Sequence, residues 1–157
     1  MNYYDKISKG YNELYKEEQL EKIKKLIKII DKTKKTLDVG CGTAFYHTFF
    51  KNYTGIDNSK EMLKQSKANI KYSQAENIPF KDNSFEQVIS ISAFHNFKDH
   101  KKALKEIERI SKNTIAITII KRTPKLKYYK NLLKDFKQID LGKDILFLKK
   151  TKTIKTQ

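Results

Sequence analysis

The sequence predicts an α/β fold: a parallel sheet with helices on both faces. Three observations carry that prediction. Thr36-Leu-Asp-Val-Gly-Cys-Gly-Thr-Ala44 reads as a buried strand running into a glycine turn, with a helix expected to begin near Thr43. Tyr53-Thr-Gly-Ile-Asp57 reads as a second short strand ending in a carboxylate, at the spacing of a parallel neighbour. Beyond it, amphipathic helical segments alternate with apolar strands.

In the first stretch Leu37 and Val39 are strand residues, and Asp38 lies near the strand's carboxyl end. Gly40 and Gly42 allow backbone conformations and a close approach that side chains forbid. A strand, a glycine turn and a helix start make half of a nucleotide-binding unit. The spacing Gly40-x-Gly42-x-Ala44 lacks the third glycine of a pyrophosphate fingerprint, and no Gly-Lys-Ser/Thr follows, so a phosphate-cradling loop is disfavoured.

The stretch Leu37–Ala44 resembles motif I of the class I S-adenosylmethionine-dependent methyltransferases, with Ala44 where that motif usually ends in glycine. Asp57-Asn-Ser-Lys-Glu-Met-Leu63 resembles the family's second motif. The resemblance implies a Rossmann-like, doubly wound, mostly parallel sheet of seven strands with an antiparallel C-terminal strand. It also implies S-adenosyl-L-methionine as cofactor and S-adenosyl-L-homocysteine as product. A planar carboxylate at Asp57 suits both ribose hydroxyls, and it equally suits a cap on a helix expected from Ser59 to Asn69.

At 157 residues the chain is long enough to bury a core without disulfides, and it reads as one domain. Its parts are an N-terminal lid and helix (1–30), a cofactor-binding core (31–120), a closing helix and hairpin (121–150) and a basic tail (151–157). Cys41, the single cysteine, cannot form an internal disulfide, and no Cys/His spacing suggests a metal site. No apolar run is long enough to span a bilayer and the start has no signal-peptide pattern, so a soluble, cytoplasmic protein is expected. The net charge of +16 attracts polyanions. Arginine contributes only Arg109 and Arg122, and a lysine-rich composition also follows from an AT-rich genome.

Taken in order, Tyr3, Tyr4, Tyr11 and Tyr15 precede a helix in which Leu20, Ile23, Ile27 and Ile30 share a face. Resemblance to the type 11 methyltransferase group, which includes quinone-biosynthesis enzymes, implies that Tyr11 belongs to a lid over the cofactor. As plain aromatic residues these tyrosines anchor a core, which is the favoured reading for any single one of them. Phe45 to Lys51 is expected as a short helix and Lys71 to Asn77 as a turn.

Tyr72-Ser-Gln-Ala-Glu-Asn-Ile-Pro-Phe80 resembles the family segment that places adenine. By that match the Ala75 N–H faces adenine N1, and Gln74 stands where aspartate is frequent; its carbonyl still accepts from the adenine amino group. The resemblance extends the cofactor set to Asp38, Gly40, Cys41, Gly42, Asp57, Asn58, Met62, Gln74, Ala75, Glu76, Ser92 and Tyr11. Asp38 would hold the methionine end, directly or through water; burial at the strand end is its plain reading.

Phe85 and Val88 enter a fourth strand that runs through Ile91. Its carboxyl end, Ser90 to Phe97, falls where open α/β sheets bind ligands, so Ser92 to Asn96 should face the methyl donor. His95 titrates near neutral pH and is the candidate proton acceptor, with cofactor packing as its other reading, and Asn96 is a candidate for orienting a polar substrate.

A helix over Lys101 to Ser111 carries Ala103, Leu104, Ile107 and Ile110 on one face. Asn113 is expected in a positive-φ turn before an apolar strand, Thr114 to Ile120. A helix through Tyr128, Leu132 and Phe136 leads to a closing hairpin around Gly142-Lys143. From Lys121 to Gln157 there are 12 basic and 3 acidic residues, a net +9.

These readings converge on a methyltransferase acting by direct displacement on an RNA, a ribonucleoprotein or a small metabolite. The basic closing segment would meet RNA or a ribonucleoprotein, and a small activator subunit is a further candidate partner. A non-catalytic, methyltransferase-fold regulatory or partner-binding subunit is the alternative.

Overall fold

The computed structural model describes residues 16–151. The lid with Tyr3, Tyr4, Tyr11 and Tyr15, and the tail from 152 to 157, lie outside the described residues. Seven strands form one sheet: β1 (Lys35–Val39), β2 (Asn52–Asp57), β3 (Ile70–Tyr72), β4 (Phe85–Ile91), β5 (Ser111–Ile120), β6 (Lys137–Asp140) and β7 (Asp144–Lys150), in the order β3-β2-β1-β4-β5-β7-β6. Strands β1 to β5 are parallel, while β7 runs antiparallel between β5 and β6. The order reverses between β1 and β4, and a crevice at the strands' carboxyl ends is the usual ligand position at such a switch.

Four α-helices are described: α1 over residues 16–26, α2 (Lys60–Lys64), α3 (His100–Ile110) and α4 (Leu126–Leu132). Strand alternation divides the core into two layers. Leu37, Val39, Val88, Ile115 and Ile117 pack with Ile107 of α3 and with Tyr129 and Leu133 in and after α4. Ile89, Ile91, Ala116 and Leu146 pack on the opposite face with Ile23 and Leu26 of α1. Asp38 alternates with Leu37 and Val39, so it points into the α1 layer.

Several local expectations are corrected. The helix expected over Phe45 to Lys51 is a three-residue 3-10 turn, His47–Phe49. Ala44 sits at φ +50°, a left-handed value that prevents a helix from starting at Thr43. The helix expected from Ser59 to Asn69 spans only Lys60–Lys64, with Ser59 accepting from the Met62 N–H. The chain must turn soon afterwards so that the Asn69 carbonyl meets the Gly55 N–H at 2.9 Å. The turn expected at Lys71 to Asn77 begins inside β3. Strand β5 starts at Ser111, so Asn113 is a strand residue; the positive φ, +54°, falls at Asn83, on the other side of an irregular β4–β5 register.

Candidate cofactor and acceptor site

The cleft at the strand switch is lined by Gly40 after β1, Asp57 and Asn58 after β2, Gln74, Ala75 and Glu76 after β3, and Phe97 and Lys98 after β4. It brings together six of the residues expected to hold the cofactor. Gly40 has φ +77°, and a Cβ there would stand 2.6 Å from Ala93 Cβ, so only glycine fits this turn. Asp57 Oδ2 accepts from the Gly42 N–H at 2.8 Å and Oδ1 from the Ser59 N–H at 2.8 Å. The carboxylate therefore locks the glycine turn to the start of α2.

Tyr11 is outside the described residues, and the other described residues of the expected set do not line the cleft. Cys41 Sγ is buried under β2, 2.7 Å from where a Gly55 Cβ would stand, and burial pushes its thiol pKa up. Met62 is buried beneath α2, and the Gly42 N–H is spent on Asp57. Glu76 lines the cleft while its Oε1 accepts the Lys98 and Asp99 N–H groups at 2.9 and 3.2 Å, which holds the entry to α3.

Asp38 is fully buried and does not line the cleft. The Tyr46 and Tyr53 hydroxyls both donate to its Oδ2, at 2.5 and 2.6 Å, while Oδ1 has no partner among the described residues. Desolvation raises its pKa to about 7, against the opposing effect of the two tyrosine hydrogen bonds.

Ser92, at φ +51°, is tied into a separate polar network at the carboxyl ends of β4 and β5. Its N–H donates to Thr118 Oγ1 at 2.9 Å, its Oγ donates to Asp144 Oδ2 at 2.8 Å, and Lys22 Nζ donates to that Oγ at 2.5 Å. His95 follows in a 3-10 turn, Phe94–Asn96. Its Nδ1 is buried with no partner among the described residues, and desolvation lowers its pKa. The ring is therefore neutral near pH 7 and able to accept a proton. Asn96 is exposed.

Five supporting residues escaped sequence reasoning. Phe97 walls the cleft, and Tyr46 and Tyr53 hold Asp38. Arg109 reaches from α3 to the Phe80 and Ile78 carbonyls at 2.8 and 2.9 Å, while Glu106 Oε2 accepts the Ile78 N–H at 2.8 Å. This pair pins the 74–80 loop. The spacing of Glu106 and Arg109, one helical turn apart, signalled an ion pair but not its target.

The geometry fits the adenosine part of S-adenosylmethionine. Asp57 brings to the cleft a carboxylate, the group that suits a vicinal diol. Next to it, the Ala75 N–H donates to no acceptor among the described residues, and the Gln74 amide is exposed beside Asn58. Asp38 Oδ1 is buried with no hydrogen-bond partner among the described residues, and Asp38 does not line the cleft.

Comparison with known proteins agrees. Residues 37–116 match the family model described as a methyltransferase domain. An uncharacterized protein of Methanocaldococcus jannaschii, MJ1252, is 36% identical over 148 residues, covering 87% of this chain and 58% of the relative. A demethylmenaquinone methyltransferase of Thermotoga maritima is 30% identical over 101 residues, covering 57% of this chain and 44% of that protein. The chain thus spans about half the length of these two curated relatives. A solved structure from Methanococcus maripaludis, described as a candidate S-adenosyl-L-methionine-dependent methyltransferase, superposes with a TM-score of 0.76 at 16% identity, covering 96% of this chain and 95% of that one; it shares the fold. With the seven-stranded sheet and the cleft at its switch point, the matched domain shows that this chain belongs to the class I S-adenosylmethionine-dependent methyltransferases.

Proposed function

We propose that this chain transfers a methyl group from S-adenosylmethionine to a nucleophile held beside the carboxyl end of β4. The observation that carries this reading is the meeting of Asp57, the Ala75 N–H and the Gly40 turn in one cleft at the strand switch. When bound, the cofactor supplies an electrophilic methyl on a sulfonium, and direct displacement needs alignment more than acid or base. Asp57 orients the ribose, Ala75 and Gln74 orient adenine, and Gly40 lets the chain approach the methionine part. Alignment of this kind contributes on the order of 7–11 kcal/mol in the best cases. His95 accepts a proton where the nucleophile arrives protonated, and Asn96 orients a polar acceptor.

A small metabolite is the favoured acceptor, in keeping with the demethylmenaquinone methyltransferase among the relatives. One observation favours an RNA or ribonucleoprotein instead, with a small activator subunit as a further partner: Lys125, Lys127, Lys130 and Lys134 are all exposed along and beside α4, next to a 41% exposed Tyr128. A steep fall of tRNA affinity with salt would support that acceptor class.

The test is calorimetric titration with S-adenosylmethionine and S-adenosylhomocysteine, on the wild-type chain and on Asp57→Asn, with thermal unfolding recorded in parallel. Asparagine keeps one acceptor oxygen for the backbone, so the fold should survive, while cofactor affinity falls about tenfold or more. Failure of the wild-type chain to bind either ligand would overturn the reading.

A further inference from the structure

Ser92, the first residue after β4, is held in a conformation that it would not choose alone. Its φ of +51° lies in the left-handed region, where a side chain is strained. Such backbone persists where surrounding contacts over-determine it, and it concentrates at functional sites. Here the contacts come from three elements. The Ser92 N–H donates to the Thr118 carbonyl of β5 at 3.1 Å and to Thr118 Oγ1 at 2.9 Å. The Ser92 hydroxyl gives its hydrogen to Asp144 Oδ2 of β7 at 2.8 Å and accepts one from Lys22 Nζ of α1 at 2.5 Å. With both roles taken, the hydroxyl has one orientation.

The consequence falls on the residues that follow. Residues 93–97 form a turn closed by the Asn96 N–H on the Ala93 carbonyl at 2.9 Å and the Phe97 N–H on the Phe94 carbonyl at 3.2 Å. Ala93 packs so closely on Gly40 that a Cβ there would stand 2.6 Å from Ala93 Cβ and 3.2 Å from Phe97 Cε1. Gly40 and Phe97 both line the cofactor cleft. The direction in which the chain leaves Ser92 therefore sets where one wall of that cleft meets the glycine turn.

Lys22 and Asp144 do not line the cleft. They form an ion pair at 3.1 Å between α1 and β7, with side chains 6% and 1% exposed. Stability does not account for the pair, since well-packed apolar residues of similar volume serve a core at least as well as buried charges do. What apolar residues cannot supply is a directed donor and a directed acceptor for the Ser92 hydroxyl.

We propose that Lys22 and Asp144 are positioning residues for the cofactor site: acting through the Ser92 hydroxyl, they hold the 93–97 turn against Gly40. What the cleft binds rests on the methyltransferase reading; the hold on the turn does not.

The experiment is a double-mutant cycle read by calorimetric titration of the full chain with S-adenosylhomocysteine. Lys22→Met with Asp144→Leu removes the anchor and keeps the core filled, and affinity should fall about fivefold or more. Ser92→Gly keeps the left-handed φ accessible without strain but lacks the hydroxyl, and should lose affinity to a similar extent. All three changes together should cost no more than Ser92→Gly alone, because the pair acts through that hydroxyl. Backbone hydrogen exchange in the ligand-free chain gives the second readout. The Asn96 and Phe97 amides should exchange several-fold faster in the pair variant than in wild type, relative to Ala116 in β5. A merely structural pair would shift thermal unfolding and leave both readouts in place. Affinity unchanged in a pair variant that folds, losses that simply add, or turn amides no faster than in wild type overturns the proposal. Failure of the wild-type chain to bind S-adenosylhomocysteine sinks the methyltransferase reading alone, and exchange at Asn96 and Phe97 then decides the hold on the turn.

Discussion

The Tyr53 hydroxyl of β2 donates to Asp38 Oδ2 of β1 at 2.6 Å inside the α1 layer, so the acid of the glycine-turn motif is held by the neighbouring strand. Tyr46 adds a second hydrogen bond to the same oxygen. Two donors do not offset complete burial, and the Asp38 pKa stands at about 7.

A pH dependence follows. Asp38 has a folded pKa raised from 3.8 to about 7, so its contribution to stability is fully present below pH 3.8 and is lost as pH rises through 7. The loss is on the order of 4 kcal/mol. His95, with a lowered pKa, acts oppositely as pH falls below its ordinary titration range, because the unfolded state takes up its proton more readily. Comparison with Asp38→Asn isolates the aspartate: denaturant unfolding should show the variant gaining stability over wild type between pH 5 and pH 8. An unchanged gap would show that Asp38 is charged throughout.

Gly40→Ala should destabilise by about 2–4 kcal/mol, since it combines a left-handed φ with a Cβ 2.6 Å from Ala93. Urea unfolding reads this directly. Cofactor affinity should fall as well, because the turn must shift.

At Ala44 two effects oppose each other. Glycine relieves a φ of +50°, worth about 1–2 kcal/mol, and gives up a buried methyl worth about 0.8 kcal/mol. Ala44→Gly should therefore change stability by no more than about 1 kcal/mol, whereas Ala44→Val should cost more than about 2 kcal/mol. Equal effects of the two substitutions in chemical denaturation would contradict the assigned backbone conformation.

Breaking the buried pair should cost more than removing it. Lys22→Met leaves Asp144 uncompensated and should destabilise by about 3–5 kcal/mol, while Lys22→Met combined with Asp144→Leu should recover most of that loss. A double-mutant cycle by thermal unfolding measures the coupling.

Arg109→Lys keeps the charge but loses the planar fork that reaches the Ile78 and Phe80 carbonyls. S-adenosylhomocysteine affinity should drop several-fold, although Arg109 does not line the cleft. Calorimetry would show an unchanged affinity if the 74–80 loop is held by Glu106 alone.

The fold was largely legible because local signals and the global answer agree. The apolar run of β5, the glycine turn after β1 and the Gly142-Lys143 hairpin each have a local physical cause. Helix lengths were less legible. The left-handed backbone at Ala44 and the early turn after α2 come from strand pairing across the sheet, not from propensity. Asp57, Asn58, Gln74, Ala75 and Glu76 met Gly40 in one cleft because parallel strands bring successive carboxyl ends to one edge.

By itself the sequence determined the α/β class, the parallel order of its motifs and the edge where they gather, since periodicity and glycine spacing are local properties. Only the tertiary structure decided which side chains face a ligand and which face each other. It sends Asp38 inward to two tyrosines, binds Ser92 to Lys22 and Asp144, and sets Arg109 beneath the 74–80 loop. These partners lie 8 to 70 residues apart in the chain, and burial and hydrogen-bond satisfaction, which act through space, chose among the readings the sequence left open.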